Sequence, residues 1–156
     1  MNCKKGEKFH NVNVDCSRIE DVSIKYMLNV KPTPLARPRM SRRRVYDSQK
    51  HDKMIMGIDL IAQHGNLYPY NGILHMDIDF LFPLPGSKSK SKLLSEGQYH
   101  HYKPDIDNLI KYILDVCVDS AILHDDCIVS SIFCRKIYVT EDNQTPRTQF
   151  TITQIK

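Results

Sequence analysis

The chain has 156 residues, enough for one domain with a real hydrophobic core and too few to suggest two. Its 41% hydrophobic and 26% charged content lies in the ordinary globular range and argues against global disorder. No apolar run reaches the roughly 18 residues of a membrane span, and the N-terminus MNCKKGEKFHNVNVDC lacks the apolar core of a signal peptide, so a soluble cytoplasmic protein is expected.

The net charge of +4 is modest, but its placement is not even. Arg37, Arg39, Arg42, Arg43 and Arg44 fall close together, and Lys88, Lys90 and Lys92 follow at alternate positions. Carboxylates instead concentrate between Asp105 and Asp126. A basic frame around an acidic centre suits a polyanionic substrate held near a bound cation. Cys3, Cys16, Cys117, Cys127 and Cys134 form no CxxC pair and are odd in number, which argues against a zinc knuckle and a disulfide framework.

In chain order, residues 1–20 are polar and aperiodic and read as a flexible arm, with one domain over 21–156. Residues 22–30 alternate apolar and polar as a strand with one buried face. Pro32, Pro34 and Pro38 make the next stretch an extended loop, with a short strand near Val45 and Tyr46. Asp47 or Ser48 is a candidate cap for a helix running to His64, with Met54, Ile55, Ile58, Leu60, Ile61 and Ala62 on a broad buried face. Residues 73–82 give the clearest strand pattern in the chain. A polar loop fills 83–103, with one helical turn near Leu93. A helix follows over 105–118, then strands over 127–139 and 148–155 joined by a polar turn. Strands with interposed helices and no regular βαβ alternation indicate α+β.

In the second helix Ile106, Leu109, Ile110, Ile113 and Cys117 fall at core spacing. Asp107, Lys111 and Asp115 stack on another face with Asn108 beside them. Asp105 sits where a carboxylate caps the helix and meets its dipole. Taken singly, these are a cap and a solvated ion pair worth about 0.3–0.5 kcal/mol. The pair Asp125-Asp126 changes the weighing. A short turn back from the helix can bring Asp126 to its N-terminal end, and three converging carboxylates repel unless a cation bridges them. Oxygen ligands favour Mg²⁺, with Mn²⁺ an acceptable substitute. A carboxylate-held Mg²⁺ beside a lysine suits phosphodiester hydrolysis, with Lys111 stabilising the developing charge. One metal or two are equally compatible with these residues.

The run Lys103-Pro-Asp-Ile-Asp-Asn-Leu-Ile-Lys111, with Asp115 and Asp125-Asp126 at matching spacing, closely resembles the RusA-type Holliday-junction resolvases, endodeoxyribonucleases common in phages and prophages. Ala36-Arg-Pro-Arg39 with Tyr46 resembles that family's basic loop. Phe82-Pro with the Ser/Lys run at 87–92 resembles its lysine-rich loop, and Lys136 with Pro146-Arg147 its final hairpin. The resemblance covers residues 22–155. It departs at Val118-Asp119, where the family usually has Asn-Gly.

The resemblance implies a small mixed β-sheet with two main helices packed on it, in a dimer. It implies Asp105, Asp107 and Asp126 as catalytic metal-site carboxylates and Lys111 as the essential lysine. Asp125 is a further ligand candidate, with Asn108 and Asp115 in support. It also implies a homodimer making paired symmetric cuts in four-way DNA during recombination and repair. Arg37, Arg39, Arg42, Arg43, Arg44, Lys88, Lys90, Lys92 and Lys103 would hold backbone phosphates. Two rivals stand beside this reading: a DNA-binding module without catalysis, and a nuclease of the same chemistry acting on flaps or forks. His100, His101 and His124 read as plain loop and turn residues, and Tyr99, Tyr102 and Tyr112 as packing residues.

Overall fold

The computed structural model describes residues 23–41, 44–65, 67, 69–84, 98–139 and 145–155. The N-terminal arm, the helical turn near Leu93 and most of the 140–146 turn lie outside the described residues. Six strands and two α-helices are present among those described: β1 (Ser23–Leu28), β2 (Arg39–Ser41), β3 (Arg44–Tyr46), α1 (Lys50–His64), β4 (Ile73–Phe82), α2 (Ile106–Asp119), β5 (Val129–Tyr138) and β6 (Arg147–Ile155). The α+β class and the mixed sheet with two helices are as expected.

The main sheet has the order β1-β6-β4-β5. β4 and β5 are parallel, while β6 runs antiparallel to both β4 and β1. The expected final hairpin is therefore absent, because β6 inserts between β1 and β4 while β5 takes the edge. β4–α2–β5 is instead a single parallel crossover, which needs a helix-length connection. β2 and β3 pair as a separate ribbon that carries the basic loop.

Alternation along β4 buries Leu74, Met76, Ile78, Phe80 and Phe82 on one face. They join Tyr26, Leu28, Phe150 and Ile152 from the neighbouring strands in one core. Over them α2 lays Leu109, Tyr112, Ile113, Val116 and Cys117. Each such side chain contributes roughly 1.5–3 kcal/mol on burial. Burial also pushes the Cys117 thiol up to about 12, so it is a packing group and not a nucleophile.

The first helix departs from expectation. Its buried face is Lys53, Met56, Gly57, Leu60 and His64, whereas Met54, Ile55, Ile58 and Ile61 are exposed. The helix is apolar on two sides, so spacing alone cannot say which side meets the sheet. Nor does a side chain cap it. Gln49 is the N-cap residue without a side-chain cap bond, and Asp47 instead accepts from the Gln49 amide at 2.8 Å.

Candidate active site

Residues 98–100 run antiparallel to the outer edge of β5, with His100 N–H donating to Lys136 O at 2.8 Å and Tyr138 N–H to Gln98 O at 3.1 Å. His100 is packed and not a free loop residue: its ring stacks on Phe82 at 4.1 Å and lies 5.0 Å from Tyr138. Burial, then the Lys136 charge, lowers its pKa and favours the neutral ring. His101, Tyr99 and Tyr102 are exposed, contrary to the packing expected for the two tyrosines, while Tyr112 is buried. Burial raises the Tyr112 hydroxyl to about 12.

This edge segment brings the chain to the start of α2, where Lys136 holds it. The ammonium donates to Tyr102 O at 2.6 Å and to Pro104 O at 2.7 Å. Charge-assisted bonds of this length are the strong ones. They fix the carbonyls on both sides of exposed Lys103, immediately before Asp105.

Asp105 is the N-cap residue in extended conformation, and its carboxylate makes no capping bond. Its backbone carbonyl accepts from Leu109 N–H at 3.3 Å, so the cap is made by the main chain and the side chain stays exposed. Asp107 lies in the first turn, with Lys111 Nζ 3.3 Å from its Oδ2. Both side chains are exposed, and such a pair is worth well under 1 kcal/mol. Lys111 can therefore exchange Asp107 for a phosphate oxygen at little cost.

Asp125 and Asp126 sit at a 3-10 turn (Asp126–Ile128) that precedes β5 where a continuous strand was expected. The turn touches α2, but it follows the C-terminal end of that helix, where Ile122 and Leu123 N–H donate to Cys117 O, and it enters β5 at Val129. The approach to Asp105 is held at the other end of β5 by Lys136. The expected return of Asp126 to the helix's N-terminal end is therefore not made, because β5 runs parallel to β4 and starts beside the helix's last turn. Asp125 accepts from Cys127 N–H at 2.8 Å, and that bond holds its carboxyl below the usual range and ionised. Asp126 and His124 are exposed. Among the described residues no three His, Cys, Asp or Glu side chains are grouped closely enough to hold a metal. Asp105 and Asp107 fit a hard divalent cation in type, as exposed oxygen donors at one helix start with Asp105 free of a capping bond, whereas Asp125-Asp126 are not brought beside them.

Asp115 is drawn elsewhere. It pairs at 2.9 Å with Lys53, which also meets Asp47 at 3.1 Å and lies 6.0 Å from the Tyr112 ring centroid. Burial pulls the Lys53 ammonium toward its neutral form. The bonds to Asp115 and Asp47 together outweigh this and raise its pKa. Beside it, Gln49 is buried and fully bonded. Its Oε1 accepts from Ala36 N–H at 2.7 Å and its Nε2 donates to Pro34 O at 2.9 Å. Leu35 N–H donates to Asn108 O at 2.8 Å. The loop leading to Arg37 and Arg39, both exposed, is thus tied directly to the first turns of both helices. Arg42, Arg43, Lys88, Lys90 and Lys92, and the side chain of Arg44, lie outside the described residues.

Lys53 and Gln49 escape a reading of the sequence. They sit one turn apart on α1, and nothing in their spacing reveals the loop carbonyl and distant aspartates they hold.

Compared with known families, residues 29–153 match the model of Endodeoxyribonuclease RusA. The chain belongs to that family. The match spans both the basic loop and the acidic helix start, and it makes the RusA-type chain an endodeoxyribonuclease, a hydrolase acting on DNA, in a family of Holliday-junction resolvases. No curated protein matches the sequence. No helix among the described residues is long and apolar enough to cross a membrane.

Proposed function

We propose that the chain resolves four-way DNA junctions as a Mg²⁺-dependent homodimer making paired, symmetric phosphodiester cuts. The observation that carries this reading is the shared position of Asp105, Asp107 and Lys111 at one helix start, with the arginine loop bonded to Asn108 beside them. Asp105 and Asp107 would hold the cation. A bound Mg²⁺ supplies Lewis-acid chemistry at the scissile phosphate. Lys111 leaves its weak contact with Asp107 and stabilises the charge developing on the phosphate oxygens. Arg37 and Arg39 bind backbone phosphates, which positions the duplex arm without reading its bases. Two cuts in opposed strands need two sites related by a two-fold axis, hence two copies.

Asp107→Asn tests the reading. Junction cleavage in Mg²⁺ is expected to vanish, while metal-free binding to the junction stays within a few fold of the parent. Four-way, three-way and linear duplex substrates are compared in parallel. Absence of Mg²⁺-dependent cleavage of every branched substrate by the unaltered protein refutes it, and preferred cutting of three-way DNA points to flaps or forks.

A further inference from the structure

The outer side of α1 carries an apolar stripe that the described residues do not cover. Met54, Ile55, Ile58 and Ile61 are each between 49% and 62% exposed, on the side opposite the Lys53–Met56–Gly57–Leu60–His64 face that meets the core. Together they expose roughly 450 Å² of largely apolar surface, within the range of the largest patch on a typical monomer and often functional at that size. Such a stripe needs a reason, because Ile and Met on the solvent side of a helix add nothing to its own packing.

The order of residues in the stripe indicates what covers it. Reversing the helix about Ile58 places Ile55 on Ile61 and Met54 on Ala62. Medium side chains then meet each other and a large one meets a small one. Met54, Ile58 and Ala62 form one i±4 ridge, the kind that interdigitates with its own copy. A surface that matches itself on reversal is what an isologous two-fold contact requires. The exposed area is about half of the roughly 800 Å² each partner contributes to a stable interface. It forms the apolar centre, with the polar residues along the helix as rim.

We infer that α1 is the dimerisation helix, pairing antiparallel with α1 of a second copy with Ile58 at the two-fold axis. This rests on the dimeric reading proposed above and assigns it a surface. The same two-fold axis relates the two Asp105–Lys111 helix starts.

The test is sedimentation equilibrium of the full chain at micromolar concentration without DNA. The parent is expected to be a dimer. Ile58→Asp buries two carboxylates against each other at the axis and should raise the dissociation constant about a hundredfold or more. Its helical circular dichroism should be unchanged, since the side chain is exposed in the protomer. Ile55→Arg repeats the measurement with the opposite charge. Phe133→Asp, on the sheet face turned away from the helices, serves as control and should remain dimeric. A dimer unaffected by both α1 variants overturns this surface and leaves the two-copy reading standing. A monomeric parent, free and on junction DNA, overturns both.

Discussion

Gln49 offers a sharp check on how the basic loop is held. Gln49→Met keeps the length of the side chain but removes the acceptor for Ala36 N–H and the donor to Pro34 O. If the loop stayed in place, each orphaned backbone group would cost about 1–3 kcal/mol. Ala36 and Pro34 are only half-buried, so the cheaper outcome is that the loop leaves its seat and both groups hydrate. DNA binding must then restore the loop, at about 1–2 kcal/mol for each freely rotating residue fixed. Pro32, Pro34 and Pro38 already restrict the segment, which limits the total to about 1.5–3 kcal/mol. The expected result is a roughly 10- to 100-fold weaker dissociation constant for a four-way junction. The assay is fluorescence anisotropy without metal over a range of salt. The slope of log K against log salt should not change, because the same phosphates are neutralised in the final complex. Arg37→Ala should instead reduce that slope by about one. Binding by Gln49→Met within twofold of the parent at every salt concentration would refute the claim that this amide positions the loop.

Two further outcomes follow from the polar contacts around the site. Lys136→Met removes the bonds to Tyr102 O and Pro104 O, so Asp105 loses its fixed approach. The Mg²⁺ concentration for half-maximal cleavage and the Mn²⁺ dissociation constant by calorimetry should both rise about tenfold or more. Lys136→Arg should recover part of each, and metal-free junction binding should not move. The Lys53 cluster governs stability against pH. Asp47, held below its ordinary pKa first by the Gln49 amide and then by Lys53, contributes stability present above about pH 4 and lost as pH falls through its folded value. Lys53, with its pKa raised, contributes stability present below about pH 10 and lost as pH rises through its folded value. Urea unfolding of Lys53→Met should show a loss of about 1–2 kcal/mol at pH 7, tempered by the partial exposure of both aspartates. Its acid limb should also be shallower than the parent's. An unchanged acid limb would show that Asp47 is not coupled to Lys53.

The strands were legible where one face is buried and the other wet. β4 shows this best, because each of its alternate residues meets either the core or the open sheet face. Strand order was not legible. Nothing local to residues 129–155 says that β6 pairs with β1 and β4 while β5 turns to the parallel edge, since that choice is made by α2 crossing over the sheet. Burial on α1 is not legible for a related reason. The moment of a helix with apolar residues on opposite sides points to neither, and here the core takes the side that contains a lysine. A buried Lys53 is acceptable only because Asp47 and Asp115 converge on it from residues that are distant in sequence.

The site divides along the same line. Asp105, Asp107 and Lys111 were readable because a helix start fixes their mutual geometry within a few residues. Asp115 shares their spacing, yet the neighbouring helix captures it, so helical periodicity identifies which residues can act together and not which do. Lys136 shows the converse. It stands 31 residues beyond Asp105 on another element, yet it sets the approach to that carboxylate through two main-chain carbonyls. Groups that hold a site by bonding backbone leave no side-chain signature at the positions they hold. A motif of carboxylates and a lysine thus locates the candidate site, while its surroundings are held by Gln49, Lys53 and Lys136.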